Sequence, residues 1–320
     1  YYYLLRVMSE MAAELGHTDD AASYSTMADD VKTAFNKRFY DAATATYISV
    51  DGGGGRQGEQ AMPLYYGLVP EGDEQRVADV LAERVRNDGY KIKTGEIALK
   101  PVFMTLAEYG YNDIVWQMAN QTDCPSYGYW VRQGYTTTPE YWDVGAFSQN
   151  HCMMDHIEEW FYTHLAGIQN AGMAFDHIRI APYMPKELKS LDVTTSCPLG
   201  NIRVCWQRSS DGITYRLTIP VGTVATVILP AYGSLWEDGQ EVQASMSGIT
   251  SIEYAQDKVT LTLGSGTYAF TTDDTKTSIK NLSTMDKQYK SHVYDLSGIP
   301  VSRPTKGKIL ITENRKSITL

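Results

Sequence analysis

The hydrophobic period of this chain changes once, near Gly167-Ile168, and two different kinds of packing layer are needed to satisfy it. Before that point the period is helical. Leu4, Leu5, Met8, Ala12 and Leu15 recur at helical spacing and stop at Gly16. A second helix opens in Thr18-Asp19-Asp20, whose acids suit an N-terminal dipole, and runs through Tyr24, Met27, Val31, Ala34 and Phe35. Further helical runs cover about 58–68, 73–87, 97–109, 112–121 and 149–166, the last with Met153, Ile157, Trp160, Phe161 and Leu165 on one stripe. The spacing therefore predicts seven helices, stacked as hairpins, with one brief extended piece near Tyr47–Val50.

After Ile168 the period falls to two. His177–Ile180, Asn201–Gln207, Thr214–Ile219, Thr223–Leu229 and Lys258–Leu263 are short and rich in Val, Ile and Thr. Turn signals at Leu199-Gly200-Asn201, Ser210-Asp211-Gly212 and Gly264-Ser265-Gly266 separate them, which predicts an antiparallel β-sandwich. A polar link over Thr271–Ser283 leads to a tail, Val293–Leu320, with a hairpin pattern across Glu313-Asn314-Arg315 and too few apolar residues for a core of its own. The expected organisation is a helical domain over 1–172, a sandwich over 173–273, and a linker with a hairpin tail over 274–320.

At 320 residues, 43% of them hydrophobic, the chain can bury two cores. Its 38 acidic and 28 basic residues leave a net charge of −10 without a long basic run, which would repel a phosphate backbone and argues against nucleic acid as a partner. No stretch approaches ~18 uninterrupted apolar residues, the length a membrane span needs. Four cysteines with no CxxC pair exclude zinc ribbons and thioredoxin-like sites. The chain opens on Tyr1-Tyr2-Tyr3-Leu4-Leu5, already inside an amphipathic pattern, so the expectation is the C-terminal part of something longer.

Two motifs carry little. Gly53-x-Gly55-x-x-Gly58 matches the dinucleotide fingerprint in letters, but no following parallel strand places an acid on a ribose, and a flexible loop is the better reading. His151 and His156 stand five apart, so they do not share a helix face as zinc ligands do; no metal and no cofactor is expected. The absence of a GxSxG elbow removes support for acyl transfer.

The informative segment is 124–162. Ten of its 39 residues are aromatic, against 11% of the chain, and between Cys124 and His151 only Arg132, Glu140 and Asp143 are charged. A few charged groups among rings, on a loop between helices, suit a sugar: ring faces stack on the C–H faces of a pyranose while carboxylates and imidazole take its hydroxyls. Low local charge would also raise a carboxyl pKa by desolvation, helping a base work near neutral pH. The same composition equally fits a buried aromatic cluster closing the helical layer, with Glu140 ion-paired to Arg132.

Read as a string, Pro125-Ser126-Tyr127-Gly128-Tyr129, Gly134-x-Thr136-Thr137-x-x-Glu140-x-Trp142-Asp143, Asn150-His151 and Glu159-Trp160-Phe161-Tyr162-x-x-Leu165-Ala166-Gly167-Ile168 resembles the α-L-rhamnosidases of glycoside hydrolase family 78. The likeness extends upstream through Gln60, Gly67-Leu68-Val69-Pro70 and Thr94-Gly95, and downstream through Phe175–Pro182 to Gly200–Trp206. It implies an (α/α)6 barrel, here in part, followed by a β-sandwich, and inverting hydrolysis of terminal α-L-rhamnosides on polysaccharides or glycoconjugates. By the same resemblance Glu140 is the general base and His151 a sugar contact. Tyr127, Tyr129, Arg132, Trp142 and Asp143 complete the expected substrate-binding set.

The sequence departs from the family pattern at three places. Pro139 stands where Trp usually precedes the Glu, Tyr127 stands where Trp is common, and the interval from Glu140 to His151 is shortened. The family's general acid belongs to an acidic, Arg-containing motif upstream of anything in this sequence. The expected partners are therefore an L-rhamnose-containing glycan and an N-terminal part of the same enzyme. Val293-Tyr294-Asp295-Leu296-Ser297-Gly298 and Lys306-Gly307-Lys308-Ile309-Leu310 resemble tails of exported bacterial polysaccharide-degrading enzymes, which implies a periplasmic or cell-surface location. The rival readings are another inverting (α/α)6 glycosidase or phosphorylase, and a non-catalytic carbohydrate-binding or structural module.

Overall fold

The computed structural model describes residues 1–272 apart from 144, 232 and 256, together with the backbone of three short strands further on. The chain forms two units, Tyr1–Trp160 and Phe161–Leu320.

The first unit is helical: α1 (Tyr2–Glu14), α2 (Thr18–Phe39), α3 (Gln57–Tyr65), α4 (Glu74–Asn87), α5 (Glu96–Glu108), α6 (Asn112–Asn120), α7 (Tyr127–Arg132) and α8 (Ile157–Trp160). The expected stops hold: α1, α4 and α5 run out just before Gly16, Gly89 and Gly110, each in the left-handed backbone region that glycine enters without a Cβ clash. In α4 the stripe Val77, Ala78, Leu81, Ala82 and Val85 is completely buried while the other face stays charged. α5 differs. Ala98, Leu99 and every residue from Pro101 to Ala107 are buried, because α3, α4, α6 and α8 all pack on it.

Between α2 and α3 the chain makes a small hairpin, β1 (Tyr40–Asp41) with β2 (Thr46–Tyr47), where the sequence predicts only an extended piece a little further on. Two buried glutamines at the start of α3 tie neighbouring segments to it. Gln60 accepts from the Tyr47 N–H and donates to the Tyr47 carbonyl, both at 3.0 Å. Gln57 accepts from the Lys93 N–H at 3.2 Å and donates to the Lys91 carbonyl at 2.8 Å.

Two helical expectations are corrected. α7 falls inside a segment read as a loop, started by the Ser126 hydroxyl accepting the Tyr129 N–H at 3.1 Å. The run expected over 149–166 is not one helix. Its first residues stay extended because their backbone pairs elsewhere, and they pass through a 3₁₀ turn at Cys152–Met154 into the single turn of α8. The stripe then continues in the second unit as a π-helical turn over Phe161–Leu165.

The second unit is a sandwich of two sheets. The strands are β3 (Ile168–Asn170), β4 (His177–Ile180), β5 (Ser190–Cys197), β6 (Gly200–Ser209), β7 (Gly212–Ile219), β8 (Val224–Pro230), β9 (Leu235–Glu237), β10 (Gln240–Glu241), β11 (Ile249–Tyr254), β12 (Lys258–Leu263) and β13 (Gly266–Thr272). One sheet has the order β10-β9-β13-β7-β6-β5, the other β11-β12-β8-β4-β3. Val204, Trp206, Leu217, Tyr268 and Phe270 of the first sheet and Ile178, Ile180, Val227, Leu229 and Leu261 of the second share one core. The alternation Val259, Leu261, Leu263 against Thr260 and Thr262 is the in–out pattern observed.

The purely antiparallel expectation needs one correction: β4 and β8 run parallel, Ile178 opposite Ala225 and Ile180 opposite Val227. The chain leaves β4, forms β5 to β7 in the other sheet, and returns, so the intervening strands serve as the crossover that a parallel pair requires. Beyond residue 272, β14 (Val293–Tyr294), β15 (Leu310–Thr312) and β16 (Arg315–Thr319) form an antiparallel sheet, with the expected hairpin between the last two. The polar link expected up to Ser283 lies outside the described residues from 273 onward.

Candidate functional site

The N-terminal end of α5 carries the segment that the sequence singles out. Trp142 donates its indole N–H to the Thr94 carbonyl just before α5, at 2.7 Å. Its ring stacks on Trp130 of α7 with centroids 4.5 Å apart and planes 17° from parallel. Trp130 in turn donates to the Trp142 carbonyl at 3.0 Å. Tyr127 meets both rings edge-on, 5.6 and 5.2 Å away, and gives its hydroxyl to the Met154 carbonyl at 2.6 Å. Burial pushes its phenol far above the ordinary range. These rings lock the loop after α7 onto the helices.

On that platform the chain folds back on itself. The Glu140 N–H donates to the Ser148 carbonyl at 3.1 Å, and the His151 N–H donates to the Thr138 carbonyl at 2.7 Å. The Thr137 hydroxyl bonds the Gln149 carbonyl, and the Thr138 hydroxyl reaches the His151 carbonyl at 3.4 Å and Asp155 at 3.2 Å. Glu140 and His151 thus belong to one hydrogen-bonded turn of chain despite the ten residues between them. Among the described residues nothing pairs with the Glu140 carboxylate, which is half-buried. The His151 ring does have a partner: its Nε2 lies 2.6 Å from Oε2 of Glu96, the first residue of α5.

The predicted site residues divide accordingly. Glu140 and His151 are brought together, with Trp142 and Tyr127 in the aromatic platform beside them. Tyr129 is half-buried on α7, and Asp143 is exposed on the same loop. Arg132 sits at the exposed end of α7, its guanidinium on the Thr122 carbonyl at 3.2 Å and Asp123 at 3.5 Å. The ion pair between Arg132 and Glu140 considered from composition is therefore not formed, because Arg132 is taken by the segment preceding its own helix.

Two features escape the sequence reading. A cleft of about 480 Å³ opens beside this end of the helices, between Phe35 and Phe39 at the end of α2 and Arg56, Glu59 and Met62 before and along α3. It reaches Lys93 and Thr94, the residue that holds Trp142. The other is Glu96. An acid in the first turn of a helix is ordinary dipole chemistry, so nothing in its sequence setting marks it.

The helical unit holds the imidazole of His151 against Glu96 at the start of α5, in the same hydrogen-bonded turn as Glu140. The chain goes on to a β-sandwich, which defines a two-part class of protein with a helical-hairpin domain and a sandwich. Comparison with known proteins makes the class specific. Residues 1–165 match the family model of the bacterial α-L-rhamnosidase six-hairpin glycosidase domain, and residues 167–243 match that of the bacterial α-L-rhamnosidase C-terminal domain. The chain belongs to the bacterial α-L-rhamnosidase family. An α-L-rhamnosidase of Streptomyces avermitilis is 29% identical over 235 residues, 70% of this chain and 22% of that protein. One from an Alteromonas species is 26% identical over 234 residues, 70% of this chain and 25% of its own length. The solved α-L-rhamnosidase of Dictyoglumus thermophilum superposes with a TM-score of 0.74 at 29% identity, covering 85% of this chain and 31% of that one. The chain thus spans roughly a quarter of the curated relatives' length.

Proposed function

We propose that this chain contributes the general base and part of the sugar pocket to an inverting α-L-rhamnosidase that removes terminal rhamnose from polysaccharides or glycoconjugates. Inversion needs one carboxylate to take a proton from water on the face of the ring opposite the leaving group. Glu140 suits that part. Its carboxylate is half-buried and is not consumed by any ion pair among the described residues, and this is the observation that carries the reading. His151, tied to the same turn, takes a sugar hydroxyl, with Tyr129 and Asp143 at hand on α7 and the loop. Arg132 approaches substrate only by leaving Asp123. By the family resemblance, the acid that protonates the leaving oxygen lies upstream of this chain. The resemblance of the tail to exported enzymes supports a periplasmic or cell-surface location.

The test is Glu140→Gln in the protein carrying the whole six-hairpin domain, assayed on an aryl α-L-rhamnoside. Loss of a general base costs about 10²–10⁴ in rate. Azide should restore part of it by replacing the activated water, giving a glycosyl azide of inverted configuration. Wild-type-like turnover by Glu140→Gln would overturn the assignment.

A further inference from the structure

The 2.6 Å contact between His151 Nε2 and Glu96 Oε2 constrains which hydrogen bonds the imidazole can make elsewhere. A carboxylate only accepts, so the nitrogen facing it must carry the proton. In the neutral ring the other nitrogen, Nδ1, is then a bare acceptor, since the bond made by one nitrogen fixes the tautomer at both. Each partner is held independently. Glu96 opens the most buried helix of the first unit, where unpaired backbone N–H groups suit an anion. The backbone of His151 is pinned on both sides, by its own N–H on the Thr138 carbonyl and by the Thr138 hydroxyl on its carbonyl. Both side chains keep some access to solvent, 25% for His151 and 35% for Glu96. Among the described residues Nδ1 has no partner.

We propose that Glu96 is a positioning residue: it holds His151 as the Nε2–H tautomer and fixes the ring, so that Nδ1 accepts the proton of a sugar hydroxyl. This rests on the reading of His151 as a sugar contact. It makes His151 a hydrogen-bond acceptor toward substrate, so the site demands a free hydroxyl at that position and discriminates against a deoxy or O-methyl sugar there. Glu96→Gln preserves shape, but its amide can donate as well as accept, so it no longer dictates the tautomer. A carboxylate-to-amide change of this kind beside a catalytic histidine is known to leave the geometry intact while selecting the wrong tautomer.

Two measurements test this. Imidazole ¹⁵N–¹H long-range spectra of the 320-residue chain, with His151 assigned through His151→Gln, should show the neutral ring protonated at Nε2, and a mixture of tautomers in Glu96→Gln. An Nδ1–H ring in the wild type, or an unchanged ring in Glu96→Gln, would overturn the proposal. In the protein with the whole six-hairpin domain, Glu96→Gln should raise KM for an aryl α-L-rhamnoside about 5- to 10-fold, the worth of one hydrogen bond. The value of kcat and the melting temperature should hardly move. In a His151→Ala background the same change should do nothing further, because Glu96 acts through that ring. Additive losses would mean that Glu96 acts some other way. A wild type that turns over no rhamnoside, with the Nε2–H tautomer present, would instead overturn the rhamnosidase reading and leave the tautomer assignment standing.

Discussion

At the scale of single residues, the aromatic segment answers both descriptions that composition allows. It is a buried cluster and it borders the candidate site, with different residues serving each purpose. Trp142 stacks on Trp130 and spends its N–H on the Thr94 carbonyl, so its first task is to hold the loop. Trp142→Ala should destabilise the helical unit by about 3 kcal/mol or more, the range for deleting a large packed ring. Trp142→Phe keeps a ring but strands the Thr94 carbonyl, and should cost about 1–3 kcal/mol. His151→Ala removes a half-exposed ring bonded to one carboxylate, and should lower activity in the intact enzyme while leaving the melting temperature within a few degrees. Thermal unfolding of the three variants side by side reads the difference. A collapse of His151→Ala as deep as that of Trp142→Ala would mean that the histidine is structural.

At the scale of elements, the two buried glutamines of α3 do more than its hydrophobic face suggests. Gln60 bonds both backbone groups of Tyr47; the carbonyl is shared with the Gly55 N–H, but the N–H would otherwise be orphaned at a buried strand. Gln60→Leu is close in size but makes neither bond, and should cost about 1–3 kcal/mol for the Tyr47 N–H left unpaired. Chemical denaturation checks it, and a variant as stable as wild type would show that water replaces the amide. Asp88, just after α4, works through charge. Burial alone would push its carboxyl up, but hydrogen bonds from Lys93, Gln57 and Arg84 outweigh it and hold the group below its ordinary value. A carboxylate depressed in the folded state adds stability above its unfolded value of about 3.9 and loses it as pH falls through the folded one. Asp88→Asn should therefore lower stability at neutral pH and flatten its decline into acid, as denaturant titrations across that range would show. The helices from α1 to α6 are legible because each carries an apolar stripe and a glycine or polar stop. The backbone pairing of 138–140 with 148–151 is not, since it is made by main-chain groups that every residue carries. β5 is equally hidden: it alternates only between half-buried and exposed, and its polar Thr194 and Ser196 resemble a loop. The parallel pairing of β4 with β8 is long-range and has no local signature at all.

At the scale of the whole molecule, what matters is how much of a six-hairpin domain one chain provides. Among the described residues the portion matched to that domain contributes eight α-helices, two of them a single turn or little more, where six hairpins call for twelve. Of the candidate site, Glu140 and His151 are legible from the string around them, whereas Glu96 is found only in three dimensions, fifty-five residues from its partner. Inverting hydrolysis requires two carboxyl groups roughly 6.5–9.5 Å apart with a water between base and sugar. Glu96 cannot serve as the second while it is committed to His151 at 2.6 Å, because a leaving-group acid must bring a proton and that contact asks it to accept one. The 320-residue chain by itself should therefore bind L-rhamnose weakly, with shifts confined to the resonances around Glu140 and His151, and should release no aryl aglycone from an α-L-rhamnoside. Joined to the remainder of the six-hairpin domain, the same residues should support turnover with inversion, followed by NMR of the released sugar before mutarotation. Turnover by the isolated chain that survives Glu140→Gln but not Glu96→Gln would relocate the chemistry to α5 and overturn the division of roles argued from this structure.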